Sequence, residues 1–396
     1  MVFDDGSETN GYVGSGPSSP RFRFEGSANI TKDLTAGFYL ELGVNQNPLN
    51  ALDQETDSVG RRPDINSVLW YLQHARFGAL SVGFGQTATG DTLYTNLGGQ
   101  DVASSPDVMA FGGNLVTRSA GIAGEAGLNF SNGADNISLR WRRLAPDVGS
   151  ADRNMVRYDS PVMAGVVVSA AAGSDDFVDA NLRFANVRTD FNVAAQVGYS
   201  RDTSEEGRNF GWPPENDGDG GGVGGGNTII QELQASGSVW HRPTGLFASA
   251  AYQLRWFDGN DPGMLNAACT SPVVGATCAN RPDFHYLWSS AGIRRNFIGA
   301  GSTTIFGEYA SAWGGVEGLA VGVVTAQGGD IDFVTNSRVD VFGGGIVQRI
   351  DAAALDIYVS ARHFQADVSG LETTGARVKA DIDAATVVIT GARIRF

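Results

Sequence analysis

The chain has 396 residues, enough for two soluble domains or one large β-barrel, and a formal net charge of −15. That charge, with no basic stripe to follow a phosphate backbone, argues against nucleic acid as a partner. Its 54 glycines, 10% aromatics and only 18% charged residues favour an all-β protein rich in turns.

The longest apolar run, residues 163–173, is far below the ~18 residues that a transmembrane helix needs. A membrane crossing by this chain would therefore have to be made with strands. Among 28 basic residues only Lys32 and Lys379 are lysines. Arginine holds its charge and planar shape at a fixed site, which suits a lined aqueous passage as well as it suits mere compositional bias.

Taken in order, the chain opens with a short strand-like run, MVFDD, and then reads as loop to residue 20. The clearest segment follows. Phe22 and Phe24 alternate with Arg21, Arg23 and Glu25; after a tight turn, Phe38, Leu40 and Leu42 alternate with Tyr39 and Glu41. This predicts a hairpin with one apolar face and one face of opposed charges. In a sandwich the apolar face would turn inward, whereas in a membrane barrel it meets lipid and the charges line the lumen.

A polar loop at 45–66 leads to a second hairpin, SVLWYLQHARFGALSVGFGQ, with a very short turn. Residues 86–145 are the longest stretch between well-marked strands, and a segment so long and aperiodic in a β protein is functional or disordered. Beyond it, strand, Pro-containing turn and strand recur from Arg153 to Gly173, and residues 187–199 alternate over seven apolar positions. An acidic, Gly-rich loop spans 201–227, followed by three further strand pairs separated by polar loops.

The last stretch, DAATVVITGARIRF, puts Thr386, Val388, Thr390, Ala392, Ile394 and Phe396 on one face and Arg393 and Arg395 on the other. A closed membrane barrel often ends on such an aromatic, because its last strand pairs with its first and meets the bilayer interface.

Short connections of about four residues alternate with polar ones of roughly 12–30, the signature of periplasmic turns and extracellular loops. The expectation is a single domain over 1–396: an all-β, transmembrane antiparallel β-barrel of about 16 strands. No repeat of solenoid or propeller period is present.

Several segments resemble the trimeric general porins of Gram-negative outer membranes, nearest to the alphaproteobacterial type. Residues 21–44 are similar to the family's second and third strands with their DLTAG turn, and FGALSVGFGQ to the hairpin before its constriction loop. VRYDSP at 156–161 resembles the strand returning after that loop, and 339–362 with Phe396 resemble the closing strands. One departure is that the family's first strand would run upstream of Met1, so that MVFDD matches only its second half.

The resemblance implies passive diffusion of small hydrophilic solutes, homotrimers, and contact with outer-membrane lipids and lipopolysaccharide. It implies a third loop, residues 87–115, folded into the lumen with Asp91, Asp101 and Asp107 as candidate acids. Arg21 and Arg23 match the opposing basic wall, with Glu25 and Glu41 on the same face. Gln86 and Tyr158 fall where some relatives carry arginine, and Arg140 is a candidate to replace that charge.

Other readings carry less. Cys269 and Cys278 lie close together in a Gly/Pro/Asn-rich loop, where a disulfide would contribute roughly 2.5–3 kcal/mol; two free loop thiols are the alternative. The four histidines are scattered singly and lack metal-ligand spacing, so no enzyme and no cofactor is expected. The acidic loop at 202–219 is a candidate weak site for Ca²⁺ or Mg²⁺, and Trp70, Trp240, Trp256 and Trp288 are expected in interfacial girdles. The alternatives to a porin are a substrate-specific outer-membrane channel, a plugged structural or adhesive barrel, and a soluble sandwich or secreted hydrolase.

Overall fold

The computed structural model describes residues 1–4, 9–13, 20–44, 47–54, 56, 59, 63–118, 129–131, 136–145, 148–149, 152–174, 176–203, 229–258, 282–317, 322–324 and 330–395. The strands run in chain order as β1 Val2–Asp4, β2 Thr9–Gly11, β3 Arg21–Asn29, β4 Leu34–Gly43, β5 Asp64–His74 and β6 Gly78–Gly85. Two short strands, β7 Asn129–Ser131 and β8 Asn136–Ser138, precede β9 Arg153–Asp159. The series continues through β10 Val166–Gly173, β11 Val178–Val187, β12 Phe191–Asp202, β13 Ile229–His241 and β14 Leu246–Asp258. It closes with β15 Phe284–Arg295, β16 Thr303–Trp313, β17 Gly322–Val324, β18 Asp330–Ile331, β19 Phe333–Ile350, β20 Leu355–Leu371, β21 Arg377–Ala380 and β22 Ala385–Ile394.

All but four of these strands form one 18-stranded antiparallel sheet; β7, β8, β17 and β18 make a separate small one. Within the large sheet each long strand pairs with its sequence neighbour, so the chain is a meander in which tight turns such as Asp351–Ala353 join hairpins at one end. Fifteen strands are long; β1 takes a sixteenth place beside β22, while β2 and β21 are short tabs on β1 and β20. The expected count of about sixteen therefore describes the wall.

Side chains alternate across this wall. Phe22, Phe24, Phe38, Trp70, Val156 and Ile305 are each at least 47% exposed on the outward side, a far larger apolar surface than a water-soluble face carries. The opposite parity is polar or charged: Glu232, Gln234, Ser236 and Ser238 on β13, and Ser249, Gln253 and Arg255 on β14, are all buried. A sandwich would show the reverse, with the apolar face covered. Among the described residues no helix is long and apolar enough to cross a membrane.

The interior contains the chain between β6 and β9. From Thr87 to Arg118, 24 of the 32 residues are buried, and Leu93, Val108, Met109, Phe111 and Leu115 pack with Trp288, Phe364, Val387 and Ile389 of the inner wall. A one-turn helix, Trp141–Leu144, adds Trp141, whose ring lies 5.6 Å from that of Phe364. The core is thus a loop buried against the concave face of the sheet.

The sheet has one seam. β1 pairs with β22 only over Thr386–Val388, and among the described residues the free edge of β3 has no strand beside it. β1 itself is three residues long.

Candidate functional site

The loop at 87–118 is held by hydrogen bonds reaching far along the sequence. Where it leaves β6, the Arg157 guanidinium donates to the carbonyls of Gln86 (3.2 Å) and Thr87 (2.9 Å). The Asp179 carboxylate on β11 accepts from both the amide and the hydroxyl of Thr89, each at 2.7 Å. The Leu97 amide donates to Ser238 on β13 (3.0 Å), and Thr304 on β16 donates to the Gly98 carbonyl (3.0 Å). Further on, Ser104 donates to Glu308 (2.5 Å), Tyr286 to the Pro106 carbonyl, and Arg362 to the Val108 carbonyl (3.0 Å).

Glycine makes one of these approaches possible. A Cβ on Gly98 would stand 2.4 Å from the Phe247 ring, and Gly99 takes φ +77, a conformation that side chains rarely adopt. The loop therefore follows the inner wall from β9 round to β22. The arc of β3 and β4, with Arg21 and Arg23, lies apart from these bonds.

The three predicted loop acids have different surroundings. Asp91 lies 4.0 Å from Arg183 on β11, which is 2.9 Å from Asp159; Asp159 is also paired with Arg157 at 2.9 Å. This makes an alternating patch of two acids and two arginines at the loop's entrance. Asp101 turns instead to the last strand, 2.9 Å from Arg393 and 3.7 Å from Arg395. Asp107 caps the short turn Val108–Ala110, accepting from the Ala110 amide at 3.1 Å.

On the facing wall, Arg21 and Arg23 converge on Glu41 at 2.9 and 3.0 Å, and Tyr39 donates to the same carboxylate (3.2 Å). Glu41 is buried, while the two arginine side chains remain 47% and 53% exposed; Glu25 is exposed on the same face. Arg140 pairs with Asp53 and donates to the Asn114 carbonyl (2.8 Å), which joins the end of the inner loop to residues 47–54. It supports the loop and does not stand in the basic wall.

Three expectations need correction. Tyr158 is directly across from Leu80 and Ala170 on the outward face, 44% exposed, and its hydroxyl donates to the Phe77 carbonyl. Its neighbours Arg157 and Asp159 are the lumen residues, because one residue of slip in a strand exchanges the two faces. Trp288 is fully buried beneath the inner loop, donating to Glu308 (3.3 Å), and Trp240 lies on the lumen side under Arg294, 5.0 Å away. Neither is in an outer girdle, whereas Trp70 does face outward. Gln86 stands exposed at the loop's start. Cys269, Cys278, Phe396 and nearly all of the acidic loop at 202–219 lie outside the described residues.

The sequence reading also missed residues. Arg157, Asp159 and Arg183 are among them; strict alternation from the outward Val156 puts the first two on the lumen face. Glu308 and Arg362, an ion pair at 2.6 Å with both side chains at most 2% exposed, lie 54 residues apart with no local signal. The four histidines carry outward parity: His74 against Phe77, His241 against Phe191, His285 stacked on Trp313, and His363 with Thr386. Among the described residues no cluster of His, Cys, Asp and Glu could hold a metal ion.

No family model and no curated protein sequence matches the chain. Solved structures do. The anion-selective porin of Comamonas acidovorans is similar over 100% of this chain and 96% of its own, with TM-score 0.57 and 15% identity. OmpT, an outer membrane protein of Vibrio cholerae, in its in-vitro folded trimer form, matches over 100% and 96%, with TM-score 0.51 and 12% identity.

The fold is that of an outer-membrane porin.

At such identities the likeness carries the architecture and nothing about solutes. Within the porin fold the meander is a barrel wall, its apolar parity is the outer belt, and residues 87–118 are the segment folded inward.

Proposed function

We propose that the chain is a porin that resides in the outer membrane as a multi-pass barrel and forms a water-filled channel for passive diffusion of small hydrophilic solutes and ions. One observation carries this reading: the inner loop is bonded to one arc of the wall, while Arg21 and Arg23 on the opposite arc stay about half exposed. A loop that plugged the barrel would desolvate both arcs.

In this reading the constriction lies between the loop entrance, where Asp91 meets Arg183, Asp159 and Arg157, and the opposite wall patch of Arg21, Arg23 and Glu41. Opposed charges across a narrow neck align water and the dipoles of polar solutes, while an apolar molecule has to disrupt that order. The acids and arginines are interleaved, so selectivity between cations and anions is mild. Assembly as a homotrimer, the nearness to alphaproteobacterial relatives and contacts with lipopolysaccharide are parts of the same proposal; the trimer is supported by the trimer form of the Vibrio cholerae relative.

The test is single-channel recording from detergent-purified protein in a planar bilayer under a salt gradient. Openings in groups of three establish a trimeric pore. Protein that is folded and inserted but silent refutes the reading.

A further inference from the structure

The connection between β4 and β5 leaves the wall at the end opposite the tight turns, and residues 47–54 of it fold inward. Its ends are joined: the Asn47 amide donates to the Val59 carbonyl (3.1 Å), and the Asn47 side-chain oxygen accepts from the Val59 amide (2.8 Å). Leu49 and Leu52, 6% and 0% exposed, belong to the same core as Phe3, Leu115 and Trp141. A compact loop with joined ends and buried side chains of its own behaves as a small unit.

This unit grips the far end of the inner loop through two adjacent residues. The Gln54 side-chain amide donates to the Val116 carbonyl (2.9 Å), and its oxygen accepts from the Val116 amide (2.8 Å), as a neighbouring strand would. The Asp53 carboxylate, almost wholly buried, accepts from Arg140, from the Asn114 side chain (3.0 Å) and from the Thr56 amide (2.8 Å). Asn114, Val116 and Arg140 belong to one paired segment. In it Val116 bridges to Arg140, the Thr117 amide donates to the Leu139 carbonyl (2.7 Å), and the Arg142 amide to the Gly113 carbonyl (2.7 Å).

On one side the paired segment rests on the inner wall, with Trp141 against Phe364 and Gly112 against Val387. The Asp383 amide, just ahead of β22, adds one bond to the Arg118 carbonyl (3.0 Å). That side is close-packed, so the direction left to the segment is the wet one, toward the arc of β3 and β4.

We infer that residues 47–54 are a latch at the mouth of the channel. Closed, they hold the paired segment against the inner wall; released, they let it swing into the lumen and narrow the neck. This deepens the channel reading and rests on it. The grip is polar and confined to one short stretch, and the Arg140 side chain stays 21% exposed, so water takes the place of lost partners as it opens. Such a contact opens and recloses without unfolding the wall. The latch is also carried by β4, the strand that bears Glu41, so its two states set the gap between the inner loop and the charges around Glu41.

Amide exchange on the full chain, folded in detergent, tests the grip, and planar-bilayer recording tests its consequence. Gln54→Ala removes both bonds to Val116 and is expected to speed exchange across residues 113–118 by about tenfold, the weight of one such bond. Asp53→Asn, which keeps the shape and drops the charge facing Arg140, acts in the same direction. The Leu97 amide, bonded to Ser238 in the same loop, exchanges as before. Both variants show more frequent brief partial closures than the parent at equal voltage. Unchanged exchange at 113–118 in both variants overturns the latch, and so does equal acceleration at Leu97, which marks a general loosening. Faster exchange with closures no more frequent overturns the gating. A folded protein that never conducts refutes the channel reading, while exchange at Val116 still decides whether the grip exists.

Discussion

Glu308 on β16 and Arg362 on β20 face each other at 2.6 Å with almost no exposure to water, and both hold the inner loop. The carboxylate accepts from Ser104, and the guanidinium donates to the Val108 carbonyl while lying 5.2 Å from the Phe111 ring. Breaking such a pair leaves one charge stranded in a dry site, at a cost of about 3–5 kcal/mol. Glu308→Gln is therefore expected to lower the urea midpoint and to make channel current noisy, as a loop freed at Ser104 moves in the lumen. Replacing both partners, Glu308→Gln with Arg362→Met, restores much of the loss. A single variant as stable as the parent would contradict the role.

Asp91 is the loop acid that joins the charged patch at the loop's entrance. Neutralising it as Asp91→Asn leaves Arg157 and Arg183 matched only by Asp159. Coulomb's law in water, over roughly 8 Å, gives about 0.5 kcal/mol, or a shift of about twofold in the permeability ratio toward anions. Reversal potential in a KCl gradient measures it, and the shift shrinks as salt rises.

Asp101 and Asp107 are expected to behave differently from each other. Asp101→Asn uncovers Arg393 and Arg395 and moves selectivity toward anions. Asp107→Asn weakens the cap on the turn Val108–Ala110 and costs at most about 1 kcal/mol of stability, with the reversal potential unchanged. Equal effects of the two on selectivity would place both acids at the constriction after all.

The outer belt makes a prediction of its own. Trp70 stands on the lipid-facing parity of β5 and Gln73 on the opposite one. Trp70→Arg is expected to cost up to about 1 kcal/mol of folding into lipid vesicles, as a cation near the interface on the lipid face of a barrel does. Gln73→Arg, three residues away and facing water, leaves folding unchanged. The band shift between heated and unheated samples on a gel reads both.

Much of this was legible in advance. The hairpin of Phe22 and Phe24 against Arg21, Arg23 and Glu25 could be assigned its two faces, as could the inward Arg393 and Arg395, because in a strand neighbours alternate sides. At Tyr158, likeness to relatives and alternation disagree by one residue, and the strand follows alternation: Tyr158 faces outward and Arg157 and Asp159 inward.

The sequence by itself determined the all-β wall, its approximate strand number, its apolar outer face and which segment is long enough to enter the lumen. These rest on a period of two and on loop length, both local properties of the chain. The tertiary structure alone decided which arc of wall the loop lies on, which acid faces which arginine, and that Trp240 and Trp288 point inward. Those choices are made by contacts such as Ser104 with Glu308 and Arg362 with Val108, 204 and 254 residues apart, which exist only once the sheet has curved round to bring its strands together.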